Sequence, residues 1–201
     1  METIFGLLSA VIIFSSYPIY AIRVWQRKII PNIASWSIFV LISLAIFLSY
    51  ASSGAKENSW ATYGPLIGCT VILIITLFRS KEKSLNHFDI ACLVFGSFSL
   101  VVWYFTKDTK EMAQYALYTA LFADFLGMLP SIKFLSKHPE KDRPFMWIIF
   151  GFGYFLTFFA ITDHTFANWA LPVFMVIIPA FVWVPLVKYR IKNKIPFKEW
   201  I

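Results

Sequence analysis

The apolar residues of this chain fall into long runs separated by short polar and charged segments, with no period-2 alternation. Seven runs can be read, at about 3–23, 33–53, 60–79, 88–106, 112–132, 145–162 and 167–188. Each is close to the roughly 20 residues that a helix needs to cross an apolar layer of about 30 Å. Open strands cannot satisfy their backbone groups in lipid, so the pattern predicts an all-α polytopic membrane protein with seven transmembrane helices. The fourth run is short and begins at His87 and Asp89, and the sixth and seventh are parted only by a turn around Asp163-His164.

A phrase recurs along the chain. Tyr17-Pro18 lies in a helix that ends in Arg23, Arg27 and Lys28; a turn at Pro31-Asn32 follows, and Ser35-Trp36 opens the next helix. Later, Leu129-Pro130 lies in a helix that ends in Lys133, Lys137, His138 and Lys141, and Pro144 leads into Phe145-Met146-Trp147. The third members also match: Asn58-Ser59-Trp60-Ala61 with Pro65 opens run three, and Asn168-Trp169-Ala170 with Pro172 opens run seven. The expectation is a 3+1+3 arrangement: a first three-helix repeat over 1–86, a linker helix over 87–110, and a second repeat with a basic tail over 111–201. Three spans are an odd number, so the linker helix is what gives both copies the same orientation. Parallel repeats about an axis along the membrane normal are a transporter arrangement.

Composition agrees. The 201 residues are 59% hydrophobic and 14% charged, where a soluble domain is nearer 25% charged. The net charge of +7 could suggest nucleic acid, but its placement argues otherwise. Fifteen of the 18 Lys and Arg fall in one alternating set of loops and the C-terminal tail, and Lys56, Lys107 and Lys110 alone in the other. By the positive-inside rule the N-terminus is outside and the C-terminus cytoplasmic. The basic face then meets an anionic inner leaflet, with the tail 188–194 along it, and no nucleic acid is expected. Met1-Glu2 lacks the basic start of a cleaved signal peptide, so the first run is expected to be a retained helix. Cys69 and Cys92 both fall inside apolar runs and read as small core residues.

The outside N-terminus, the 3+1+3 layout and the mid-helix proline before a basic first loop in each repeat resemble the SWEET and PQ-loop transporter superfamily, whose layout Pnu-type vitamin transporters share. The resemblance covers nearly the whole chain and implies a bundle that carries a small solute between two three-helix units.

Asp124 is the one carboxylate deep in a run. An acid at the bilayer centre costs about 2.5–3.5 kcal/mol on insertion scales, so it must face the bundle or water. It is the first candidate for a substrate contact or a proton-coupling group, and a hydrogen-bonded packing residue is the alternative. Its matching place in run one is near Ile12, so the two repeats differ here. Tyr17, Tyr20, Tyr118, Tyr154, Trp36 and Trp147 are the further substrate-binding candidates. Their plainer readings are interhelical hydrogen bonds and interface anchors. Pro18, Pro65, Pro130, Pro172 and Pro179 lie inside runs, and the first four are hinge candidates, since each removes a backbone donor and frees a carbonyl; a static kink is the alternative. Gly64-x-x-x-Gly68, Gly151 and Gly153 suggest close helix approach.

No enzyme signature, cofactor motif or metal-ligand spacing is present in the sequence. His87, His138 and His164 fall on both sides of the expected membrane, and no phosphate-binding glycine loop occurs. Run seven has no polar side chain from Leu171 to Val187 apart from the Trp183 indole, and no lysine for a retinal Schiff base. The leading reading is an integral protein of a bacterial inner (plasma) membrane that carries a small-molecule solute by alternating access. The polar-poor lining favours a vitamin-like or amphiphilic solute over a free sugar, with Asp124 available for proton coupling. The rival is a non-transporting sensor, receptor or assembly protein on the same fold. A midplane cavity touching Asp124 favours the first, and a dry, filled bundle the second. Assembly of the chain with copies of itself is left open.

Overall fold

A computed structural model describes residues 1–27, 33–79 and 87–200. They form seven α-helices and no strand: α1 Glu2–Trp25, α2 Ile33–Ser52, α3 Tyr63–Arg79, α4 His87–Thr106, α5 Lys110–Lys137, α6 Pro144–Thr157 and α7 Phe166–Lys192. Short 3-10 turns lead into α3 at Glu57–Thr62, join α5 to α6 at Pro139–Lys141, extend α6 at Phe158–Ala160, and follow α7 at Phe197–Glu199. The seven runs read from the sequence thus correspond to the seven helices, with ends displaced by a few residues. The turn expected at Pro31-Asn32, the cations Lys28, Lys81 and Lys83, and the side chains of Ser35 and Pro130 lie outside the described residues.

Four stretches are long and apolar enough to cross a membrane: Glu2–Trp25, Asn58–Phe78, Lys110–Lys137 and Phe166–Lys192. The remaining three, Trp36–Ser52, Ile90–Thr106 and Pro144–Ala160, are shorter apolar helices. Large apolar side chains stand exposed around the bundle: Val11 on α1, Phe78 on α3, Phe98 and Phe105 on α4, Phe122 on α5, Phe155 on α6 and Phe181 on α7. Water would not tolerate so continuous an apolar exterior, whereas lipid requires it. Helix α2 is the exception. From Trp36 to Tyr50 it exposes no side chain, and Ile38, Ile42, Ala45 and Ile46 are all buried. A helix that is apolar all round belongs at the centre of its bundle, and α2 packs on α3, α4 and α5. Helix α1 packs on α3 and α6, and α7 on α5 and α6, while α4 lies outermost against α5 and α2.

The two ends of the bundle are built differently. At the basic end, Pro144 takes the first position of α6, where a missing N–H costs nothing. Arg190, in the last turn of α7, reaches the segment that joins α5 to α6. At the opposite end, the Tyr50 hydroxyl donates to the carbonyl of Asn168 at 3.1 Å and accepts from the Asn58 amide. Asn168 in turn donates to the carbonyl of Asp163 at 2.7 Å, and Thr165 caps α7 by accepting from the Asn168 N–H at 3.4 Å. The two asparagines that the repeat comparison matched therefore tie the ends of α2 and α7 to the chain before α3.

Helix α1 runs unbroken through Pro18, and α7 through Pro172, Pro179 and Pro185. The third of those was not singled out in the sequence.

Close approach is concentrated on α1. A Cβ on Gly68 would lie 2.1 Å from the Tyr17 ring, one on Gly64 2.9 Å from Ile13, and one on Gly153 2.4 Å from Ile13. The Gly64-x-x-x-Gly68 pair thus acts as the sequence suggested, and Gly153 does the same from α6. Gly151 does not, since a Cβ there meets nothing within 4 Å. Gly68→Ala should therefore destabilise the protein by about 1–3 kcal/mol through overpacking. Gly151→Ala should be neutral or gain up to about 1 kcal/mol from helix propensity. Melting curves of the two variants in one detergent check this; equal melting temperatures would mean that α1 has room to move away from α3.

Candidate functional site

A cavity of about 80 Å³ lies inside the bundle. A cavity needs about 10–15 Å³ by this measure to hold one water, so there is room for several waters or a small solute. Six helices line it, every one except α4. Helix α2 contributes Trp36, Phe39, Ser43 and Ile46, spaced three or four apart and so on one face. Helix α6 contributes Trp147, Phe150 and Tyr154 with the same spacing, and Met146 beside them. Helix α1 adds Ser16 and Tyr17, α3 adds Pro65 and Cys69, α5 adds Asp124 and Met128, and α7 adds Met175 and Pro179.

Two aromatic walls face this space. On one, Tyr20 packs on Trp36 with ring centroids 5.2 Å apart, and Trp36 meets Phe39 edge-on at 5.7 Å. On the other, Tyr17 meets Phe150 edge-on at 6.2 Å, and Phe150 packs on Tyr154 at 5.0 Å. Edge-on pairing places the positive ring edge on the negative face of its neighbour, which holds each ring in a set orientation. Tyr17 can stand where it does because Gly68 has no side chain.

The hydroxyl groups around the cavity are largely committed to backbone. Ser16 donates to the carbonyl of Ile13 at 2.7 Å, Ser43 to that of Phe39 at 2.6 Å, and Thr62 to that of Ser59 at 2.7 Å. Tyr154 donates to the carbonyl of Ala61 at 3.5 Å. The local serine and threonine bonds spend each hydroxyl's donor on its own backbone and leave only its oxygen lone pairs for other partners. The Cys69 sulfur lies 3.7 Å from the Ser43 hydroxyl and 3.9 Å from that of Tyr17, linking α1, α2 and α3 by weak contacts. Asp124 is different. It stands midway along α5, partly exposed on the cavity side, and among the described residues its carboxylate has neither a hydrogen-bond nor an ion-pair partner. Among the described residues no Lys, Arg or His lines the cavity.

Of the residues that the sequence put forward, Asp124, Tyr17, Tyr154, Trp36 and Trp147 come together here, and so does Pro65. Tyr20 stands behind Trp36. Tyr118 lies apart: its hydroxyl donates to Gln114 at 3.1 Å within α5, and its ring packs edge-on against Phe166. Pro18 faces outward, and Pro172 is buried without lining the cavity. The sequence reading missed Phe39, Phe150 and the three methionines Met128, Met146 and Met175. A signal for the two phenylalanines was available, since each stands three residues after one of the matched tryptophans.

At the basic end one cluster holds the cavity wall. The Arg190 guanidinium donates from Nη1 to the carbonyl of Pro139 at 3.1 Å and from Nη2 to the carbonyl of Asp142. The Asp142 carboxylate accepts from the Arg143 N–H at 2.7 Å and from the Trp147 indole at 3.1 Å. Burial pushes the Asp142 carboxyl above the usual carboxylate range, while those two hydrogen bonds and the charges of Arg190 and Arg143 pull the other way. The chain after α7 then doubles back: the Phe145 N–H donates to the carbonyl of Trp200 at 3.3 Å, and Phe145 meets Phe197 edge-on.

No protein-family model, curated protein or solved structure matches this chain. The site is therefore read from its own geometry.

The indole of Trp147 owes its position to Asp142. Asp142→Ala should lower stability by about 1–3 kcal/mol, because a half-buried indole N–H and a half-buried amide lose their acceptor. Tryptophan emission should shift as Trp147 moves. An unchanged melting temperature and spectrum would mean that packing alone sets this ring.

Proposed function

We propose that this chain is a membrane carrier for a small solute and works by alternating access between two three-helix units, α1–α3 and α5–α7. The observation that carries the reading is the cavity itself: it lies within the bundle, draws its lining from both units, and touches an unpartnered acid. A dry, filled bundle would have favoured a sensor or assembly protein.

The packing supports two equivalent units. Exchange α1, α2 and α3 for α5, α6 and α7, and the α1–α6 pair becomes the α5–α2 pair, α1–α3 becomes α5–α7, and α2–α3 becomes α6–α7. All six pairs occur, and α4 stands outside the scheme. Pairs that map onto each other this way can trade contacts at one end of the cavity for contacts at the other. Pro65 and Pro179 both line the cavity, and each takes one backbone donor out of its helix there. The helix pair α1–α6 and its counterpart α5–α2 form the seam along which the units would rock. In the bilayer the basic end faces the cytoplasm, with the N-terminus outside.

The solute is vitamin-like or amphiphilic in preference to a free sugar. A sugar needs many hydrogen bonds, and most hydroxyls here already serve their own backbone. The aromatic walls supply stacking area instead. Asp124 couples the solute to a proton if both events neutralise the same carboxylate.

Orientation is checked by reporter fusions. Those after Arg79 and after Ile201 should report cytoplasm and one near Asp163 the outside; an external C-terminus would remove the parallel-repeat scheme. Function is checked by thermal-shift screening of the purified protein against a metabolite library, followed by flux of the hits into proteoliposomes. Asp124→Asn should fold and insert while transport loses its dependence on pH between about 5 and 8, because Asn cannot titrate. Asp124→Leu should abolish solute binding and keep or raise thermal stability. Full flux and an intact pH response in Asp124→Asn, with lower stability in Asp124→Leu, would reduce this acid to a packing residue.

A further inference from the structure

We propose that the solute is a small organic cation of the alkylated-ammonium type, held by Asp124 as counter-ion and by the aromatic walls of Trp36, Phe39, Trp147 and Phe150. This rests on the carrier reading of the cavity and names the chemistry of what it carries.

The first argument is charge balance. A carboxylate inside an apolar bundle is stable when a cation, a proton or ordered water compensates it. Among the described residues no basic side chain lines the cavity and Asp124 has no partner, so the protein leaves that compensation to whatever enters. An anionic solute would place two like charges in one small space, and a neutral one would leave the acid to be matched by a proton or water alone.

The second argument is the kind of surface around the acid. Aromatic faces carry negative quadrupole and attract a cation within about 6 Å of the ring centroid, with Trp the strongest. Two of the rings here are Trp, one from each unit, at equivalent places: each is three residues past the start of its helix. Methionine sulfurs at Met128, Met146 and Met175 add a polarisable lining that adapts to shape.

The third argument separates alkylated from bare ammonium. A primary ammonium carries three N–H donors, and each needs an acceptor once buried. The Asp124 carboxylate is the one strong acceptor on the lining; Ser16, Ser43 and Thr62 give their protons to their own backbone and keep only hydroxyl lone pairs, and the rest of the lining is largely aromatic, aliphatic and sulfur. A quaternary or heavily methylated nitrogen brings positive charge with few or no donors, and its methyl groups meet aromatic and methionine side chains without loss. Charge without donors is the chemistry that this lining accepts.

Three probes of nearly the same shape test it: tetramethylammonium, neutral neopentanol and anionic pivalate, added at constant ionic strength to the purified full chain. Binding is read from tryptophan fluorescence, since Trp36 and Trp147 line the cavity, and from the melting temperature. The expected result is saturable binding of tetramethylammonium at least tenfold tighter than either isostere. Asp124→Asn should bring the three probes within about threefold of one another. Trp36→Leu leaves the acid in place and should weaken the cation several-fold without strengthening pivalate; it serves as the second variant should Asp124→Asn not fold. Neopentanol or pivalate binding as tightly as the cation would overturn the proposal and leave the carrier reading intact. Cation binding that survives both substitutions would place it elsewhere and overturn the proposal. Binding of none of the three, with only neutral or anionic library solutes bound, would also overturn the cation and keep the carrier; no binding of any solute would remove both.

Discussion

Three absent side chains set the position of α1, and much else follows from it. In lipid there is little hydrophobic force to draw apolar helices together, so association depends on close packing and on hydrogen bonds. Ile13 is fully buried between Gly64 of α3 and Gly153 of α6, and Tyr17 fills the notch over Gly68. These contacts join α1 to α3 and to α6 at the same level. Tyr17 is thereby fixed with its ring against Phe150, and one wall of the cavity is built from a side chain that larger residues on α3 would have displaced.

Around that fixed point the polar groups divide into two kinds. Most serine and threonine hydroxyls bond a carbonyl three or four residues earlier and so vanish from the interior as far as a solute is concerned. Of those that reach across the structure, the stronger lie at the ends, and the weak sulfur contacts of Cys69 with Ser43 and Tyr17 lie between. Tyr50, Asn58 and Asn168 close one end, and Arg190, Asp142 and Trp147 the other. The middle keeps one acid without a partner. A bundle bonded at both ends and apolar between them concentrates its chemistry on Asp124.

The helix order was legible because each helix is a long apolar run, and the break points are marked by Pro144, Asn58 and Asn168 and by clustered Lys and Arg. Asp124, Trp36, Trp147, Tyr17 and Tyr154 were legible as exceptions within such runs: an acid, or aromatics at matched places. Phe39 and Phe150 were legible only through their spacing of three from the matched tryptophans, and the methionines not at all, because an apolar residue in an apolar helix carries no sign of which way it faces; only the tertiary arrangement selects it. The same limit explains Tyr118, which shares its helix with Asp124 but bonds Gln114 four residues earlier instead of reaching the cavity. The central place of α2 was hidden for a related reason. Its apolar residues surround the axis as fully as those of the peripheral α4, and lipid and protein interior ask for the same side chains.

The arrangement at the basic end bears on how an alternating bundle could keep its halves in step. Arg190 belongs to α7, the carbonyls it holds belong to the segment between α5 and α6, and the acid in that segment fixes the indole of Trp147 on the cavity wall. Movement of α7 against α5 and α6 at this end therefore acts on Trp147 directly. Trp36, on the other wall, is backed by Tyr20 through ring packing and a side-chain hydrogen bond. The two aromatic walls are then held by different partners, one by a hydrogen bond to the buried acid of the segment that Arg190 grips, and one by a tyrosine of α1.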